Sequence, residues 1–182
     1  ILCCFTTLVV LQLKIYINNI NIILYMNNNF INIYNNLVNF SRNKKIFSIF
    51  TQNDTFSDRL IILLFHLGFF IKNYKNSVDK KEMQNIYDYI FRQLELSIRE
   101  IGYGDASINK KMKNYLNVFY SILDKIERWE NLSSKDKEDT LKSFINYEGN
   151  LYDLIQYFEK FCDYLSKKPF HLFTKGVIKN EI

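Results

Sequence analysis

Residue types able to do chemistry gather around residues 99–113: Arg99-Glu100-Ile101-Gly102-Tyr103-Gly104-Asp105, followed by Lys110, Lys111 and Lys113. Arg99 and Asp105, on either side of a two-glycine turn, can form a recognition surface for a client. The same residues also suit a plain helix junction. A cation favours the negative end of a helix, an aspartate bonds turn amides or opens the next helix, and glycine supplies permissive backbone. Asp58 and Asp88 offer Arg99 further carboxylates for a buried or half-buried ion pair, which would cost desolvation and fix geometry more than it stabilises. The three lysines can contact the phosphates of RNA or lipid, or line a solvated face. At a helix start they oppose the dipole slightly. Arg42, Lys44 and Lys45 form a second basic group, and proximity of the two groups in space would make one phosphate-contacting surface.

Two histidines complete the inventory. His66 lies between Leu64, Phe65 and Leu67, where a hydrogen-bonded core histidine is the simpler reading. A single His without a second ligand does not specify a metal or haem site. His171 has no partner in sequence. The chain lacks GxSxG, a Walker A loop, HExxH and any Cys/His constellation. Gly102-x-Gly104 precedes a helix but follows no strand, so a nucleotide fingerprint is unsupported. No catalytic residue, cofactor or metal is expected. An enzyme would need a polar pocket with clustered titratable groups.

Helices must position these residues. One proline and five glycines in 182 residues leave long uninterrupted segments and too few turn signals for a β-sandwich. Asn27 to Phe40 carries the stripe Phe30, Ile33, Tyr34, Leu37 and Val38. A basic connector and a short apolar piece, Ile46 to Phe50, follow. Thr55-x-x-Asp58 reads as a cap. Leu60 to Ile71 is apolar around nearly its whole circumference, which places it in the middle of a bundle. Asn73 to Asp79 reads as a polar loop. Lys80 to Ile101 is amphipathic through Ile86, Ile90, Phe91, Leu94, Ile98 and Ile101, and Gly102 stops it. A helix from about Ile108 to Glu130 carries Met112, Tyr115, Phe119, Ile122, Ile126 and Trp129. Ser133 caps a shorter helix holding Leu141, Phe144 and Ile145, which Gly149 breaks. Leu151 to Leu165 follows, and Pro169 ends the regular pattern. Tyr87, Tyr89, Tyr115 and Tyr120 read either as core or as the lining of an apolar groove. The expected fold is an all-α, single-domain multi-helix bundle with a nearly all-apolar central helix.

The net charge of +5 is placed unevenly. Residues 1–53 hold Lys14, Arg42, Lys44 and Lys45 and no acid, a pattern suited to anionic lipid or RNA. Residues 1–25 read as a disordered or alternative-start extension, with a membrane or targeting segment as the other reading. Their apolar run, Ile1 to Leu13, is shorter than a bilayer span and lacks the features of a secretory signal. Residues 26–53 read as a basic helix and connector, 54–168 as the helical domain and 169–182 as a tail. Cys3, Cys4 and Cys162 form neither a CxxC pair nor a disulfide framework, in keeping with a reducing compartment.

The turn Arg99-Glu100-x-Gly102-x-Gly104-Asp105, with Lys110-Lys111-Met112-Lys113 after it, resembles the ubiquinol–cytochrome c chaperone family. The likeness runs from about Asp54 to Trp129. Phe56-Ser57-Asp58-Arg59 and then Leu63-Leu64-Phe65-His66-Leu67 look like the family's early motif. Gln84, Asp88 and Phe91 match its next helix, and Phe119-Tyr120 match an aromatic pair. Relatives often continue that pair with Gly-Arg, where this chain has Ser121-Ile122. The resemblance implies an assembly chaperone, not an enzyme, for the cytochrome bc1 complex. It implies newly made cytochrome b as client, contact near the ribosomal exit tunnel, a small helical partner subunit and peripheral membrane contact. The expected place is the cytoplasmic side of the inner membrane, or the matrix side in a mitochondrion. On this reading Asp58, Arg59, His66, Asp88, Arg99, Glu100, Gly102, Gly104 and Asp105 carry the client-binding motif. Lys110, Lys111, Lys113, Arg42, Lys44 and Lys45 carry phosphate or ribosome contact. A general ribosome- or RNA-binding helical module is the alternative, and binding that weakens steeply with salt would mark it.

Overall fold

The structure, a computed structural model, describes residues 29–47, 55–145 and 151–178. All its regular elements are helical: α1 (residues 29–41), α2 (Lys44–Phe47), α3 (Phe56–Tyr74), α4 (Lys80–Glu100), α5 (Asp105–Glu127), α6 (Ser134–Lys142), α7 (Tyr152–Lys167) and α8 (His171–Lys175), with a 3-10 turn at Trp129–Asn131. The all-α bundle is therefore the fold. The readings made for Ile1 to Met26, for the end of the piece Ile46 to Phe50 and for Gly149 fall outside the described residues, as does the side chain of Lys45.

Thr55 caps α3 as its sequence indicates: its Oγ1 accepts from the Asp58 amide at 3.2 Å, and Asp58 lies in the first turn. Every residue from Ile62 to Phe70 is buried. No polar stripe is left on this stretch for solvent, because α5 and α7 cover its flanks. The helix continues past Ile71 into the expected loop because Tyr74 is itself buried, its hydroxyl donating toward the Leu165 and Lys168 carbonyls at 3.1 and 2.7 Å. Gly68 sets the approach of α5, since a Cβ there would stand 2.6 Å from Ile126 Cδ1.

Helix directions follow from contact order. Gly68 faces Ile122 and Ile126, while Lys72, one turn on, donates to the Ile126 carbonyl at 3.0 Å and to Glu130 at 2.5 Å, so α3 and α5 run parallel. Phe65 meets Phe158, and Asn73 donates to the Leu165 carbonyl at 3.2 Å, so α7 also runs parallel to α3. Tyr87 pairs with Tyr120 and Arg99 with Asp105, so α4 returns antiparallel to α5 as a hairpin. One end of the bundle thus gathers the starts of α3, α5 and α7 and the end of α4.

Other differences from the sequence reading have local causes. Asp79, read as loop, caps α4 through bonds from the Lys81 and Glu82 amides. Ile101, read as part of the inward stripe, is exposed: it is the C-cap, and Gly102 at φ +99° turns the chain away. The fifth helix opens at Asp105 rather than Ile108, and Trp129 sits buried on the 3-10 turn that follows it. Phe144 and Ile145 lie beyond α6 in a turn, where Phe144 packs on Phe65. After Pro169 the chain forms one more short helix, α8, whose Phe173 packs against Phe70 and Tyr74.

That last segment is held by α1. Asn36, fully buried, donates to the carbonyls of Phe173 (3.2 Å) and Gly176 (2.8 Å) and accepts from the Ile178 amide at 2.7 Å. A buried amide with both ends satisfied fixes a unique docking geometry.

Candidate functional site

The α4–α5 turn is built as its sequence prescribes. The Gly102 amide donates to the Arg99 carbonyl at 2.9 Å, and its positive φ is the left-handed conformation that glycine adopts without strain. Gly104 is the N-cap of α5 and has no side chain with which to cap it. The Asp105 carboxylate, in the first turn, reaches back to the Arg99 guanidinium. Arg99 also donates through Nε (3.1 Å) and Nη2 (2.8 Å) to one oxygen of Glu95. Both carboxylates, Glu95 first and Asp105 next, hold the guanidinium above its ordinary range. The result is a solvent-exposed Glu95–Arg99–Asp105 bridge that staples the end of one helix to the start of the next.

This corrects the expectation of a buried or half-buried pair between Arg99 and Asp58 or Asp88. Asp58 accepts from the Thr55 hydroxyl at 2.6 Å in its own capping turn. Asp88 accepts from Gln84 at 2.8 Å on the same helix, three turns before Arg99 and exposed. Local carboxylates one turn away were the nearer partners. Arg59 is exposed in the first turn of α3, and Glu100 is exposed at the end of α4.

Lys110 and Lys113 stand exposed on the first turns of α5, and Lys111 lies over the ring of Tyr103 at 4.3 Å. Lys111 therefore pins the turn's aromatic to the helix it precedes. Arg42 and Lys44 are exposed elsewhere, just after Phe40, which packs on His66, Phe161 and Tyr164. Among the described residues no contact joins the two basic groups.

His66 sits at the junction of α1, α3 and α7, fully buried. Its Nδ1 lies 2.7 Å from the Ile62 carbonyl and its Nε2 lies 2.8 Å from the Tyr157 hydroxyl. A carbonyl only accepts, so Nδ1 carries the proton and the tyrosine donates to Nε2. Burial lowers the imidazole from 6.5 to about 4, against the opposing pull of the Ile62 bond. Both ring nitrogens are committed within the protein, and His66 reaches no surface. Burial also raises the Tyr157 hydroxyl above its ordinary range.

Of the four tyrosines read as core or groove, Tyr87 fills the seam of the hairpin against Phe91 and Phe119, Tyr89 meets Phe30 of α1, and Tyr115 is half-buried against the core. Tyr120 stands exposed with its hydroxyl 3.1 Å from that of Tyr87. Sequence reasoning missed Asn36, an amide on an apolar helix whose value depends on a segment far along the chain. It also missed Tyr157, the partner of His66. Two open clefts lie toward the other end of the bundle. One, of about 340 Å³, lies between the end of α5 and α6 and is lined by Lys125, Arg128, Asp136 and Asp139 together with Leu132 and Thr140. The other, of about 270 Å³, includes Lys72, Glu130 and Cys162, whose thiol burial pushes up to about 12. Among the described residues no group of three or more His, Cys, Asp and Glu is placed to hold a metal, and no helix is long and apolar enough to cross a membrane.

The described residues thus form an all-α bundle that exposes a stapled hairpin turn with basic and apolar side chains around it. The family profile described as Ubiquinol-cytochrome C chaperone matches residues 49–147, more than half of the chain, and the chain belongs to that family. The matched segment runs through α3 to α6 and contains the Arg99–Asp105 turn. No curated protein and no solved structure matches the chain.

Proposed function

We propose that this protein is a non-enzymatic assembly chaperone for the cytochrome bc1 complex and that its client is newly made cytochrome b. The observation that carries this reading is the family match over residues 49–147. The hairpin end of the bundle, which that match includes, supports it. Arg59, Arg99, Glu100 and Asp105 shape the client surface there, with Asp58 fixing the start of α3 and Gly102 and Gly104 fixing the turn. Asp88 extends the surface along α4, and His66 positions α3 beneath it. Lys110, Lys111 and Lys113 dock the chaperone on ribosomal phosphate while the client emerges, with Arg42, Lys44 and Lys45 as a second anchor. A small helical partner completes the assembly at the inner face of the membrane.

The test is recovery of tagged protein from its own cells after crosslinking during translation, followed by mass spectrometry. Cytochrome b in the recovered material, reduced at least severalfold by Arg99→Ala or Asp105→Ala, is the expected result. Recovery of RNA and ribosomal proteins without cytochrome b, lost steeply as salt rises, would instead establish the general RNA-binding reading.

A further inference from the structure

Residues 169–178 lie against α1 on one side and the last turns of α3 on the other. The polar grip comes from two asparagines one turn apart on α1, and it ends entirely on main chain. Asn32 donates to the Thr174 carbonyl at 2.7 Å. Asn36 donates to the Phe173 and Gly176 carbonyls and accepts from the Ile178 amide, so both ends of its amide are spent on backbone. The apolar grip centres on Phe173, which is fully buried with its ring 5.3 Å from Phe70 and 5.7 Å from Tyr74. Phe170, half-buried, adds to it against the same two rings.

The other side chains of the segment are asked for little. His171, Lys175 and Val177 are exposed. The Thr174 hydroxyl turns back to the His171 carbonyl of its own segment at 2.9 Å. Gly176 is in extended backbone, and a Cβ added there would meet nothing within 4 Å. Main-chain bonds that ignore side-chain identity, joined to a socket for one anchor, are how peptide-recognition sites combine affinity with specificity. A helix as short as α8 is not stable alone, so it persists only while this site holds it. Opening such a local unit takes less free energy than unfolding the bundle, and it would present Asn32, Asn36, Phe70 and Tyr74 together. Both α1 and residues 169–178 lie outside the matched segment 49–147, and none of these four side chains belongs to the client or phosphate surfaces proposed above.

We propose that the crevice between α1 and α3 is a peptide-binding site, filled in this structure by residues 169–178, and that an unfolded segment of a partner polypeptide with one aromatic anchor displaces them. The partner segment is held by its main chain on Asn32 and Asn36 and by its anchor between Phe70 and Tyr74. Residues 169–178 thereby act as an internal competitor that keeps the site closed until such a segment arrives. A newly made protein supplies segments of this kind, and only that source rests on the chaperone reading.

The probe is a fluorescent synthetic peptide with the sequence of residues 169–178, titrated with the full chain and read by anisotropy. The parent should bind it weakly, because its own segment competes. Phe173→Ser in the chain withdraws that competitor's anchor and should tighten peptide binding about tenfold or more, the scale set by burying one phenylalanine. Adding Asn36→Leu to that variant should abolish the gain. A peptide with alanine in place of its Phe173 should not bind, whereas alanine in place of its His171 and Lys175 should leave binding unchanged. Circular dichroism would show whether the variants fold. Should Phe173→Ser fail to fold, hydrogen exchange on the parent decides: excess peptide should speed exchange at the Ile178 amide and leave α5 unchanged. A folded Phe173→Ser variant that binds no tighter than the parent, or an Ile178 amide indifferent to the peptide, would overturn the proposal. Peptide binding as expected, with no cytochrome b in the crosslinking assay, would support this site and count against the client named above.

Discussion

Acid should loosen this protein through one residue before its carboxylates matter. His66 is neutral in the native state, with its pKa lowered by burial to about 4 from the 6.5 of an exposed histidine. Between those two values the unfolded chain binds a proton that the folded chain refuses. Stability from this group is therefore complete above about pH 6.5 and is lost as pH falls toward 4. The full shift corresponds to about 3 kcal/mol, of which about 2 kcal/mol should be lost between pH 7 and pH 5. That is a large share of the roughly 5–15 kcal/mol by which a domain of this size is stable. Urea unfolding followed by circular dichroism at pH 7, 6 and 5 measures it, because the window stays above most carboxylate titration. His66→Gln, which has no imidazole to charge, should be less stable than the parent at pH 7. Its stability should nevertheless fall by about 2 kcal/mol less than the parent's on going to pH 5. Parallel losses in the two proteins would refute the reasoning, since the pH dependence would then lie elsewhere. Failure of the variant to fold at pH 7 would shift the measurement to Tyr157→Phe. That variant leaves the imidazole in place without its tyrosine donor, and it should keep the parent's downward slope.

Two further outcomes follow from packing. Asn36→Leu removes the three bonds that hold residues 173–178. It should cost about 2 kcal/mol, given the penalty for stranding buried backbone groups. Hydrogen exchange should show that loss of protection first at the amide of Ile178. Gly68→Val drives a branched side chain into Ile126 and should cost about 1–3 kcal/mol by overpacking. Thermal unfolding reads it, and an unchanged midpoint would mean that α5 moves away from α3 more easily than the close approach implies.

What the sequence determined by itself is local. The 3.6-residue recurrence of apolar residues placed α4, α5 and α7 to within a few residues, because a helix face repeats along the chain whatever it packs against. Thr55, Ser133 and Gly102 marked helix ends because capping and positive φ involve only neighbouring residues. The order of charged and glycine residues in the turn also carried the family resemblance. Tertiary structure decided everything that depends on distant residues meeting. It joined His66 to Tyr157, whereas Arg99 found its partners nearby in Glu95 and Asp105 rather than in Asp58 or Asp88. It gave Asn36 a purpose through a segment about 140 residues away. Ile101 fits the apolar stripe of α4, yet the chain turns away at Gly102 before a neighbour can cover it. Periodicity records which face of a helix is apolar, and only the packing of helices decides which apolar residues are left for solvent.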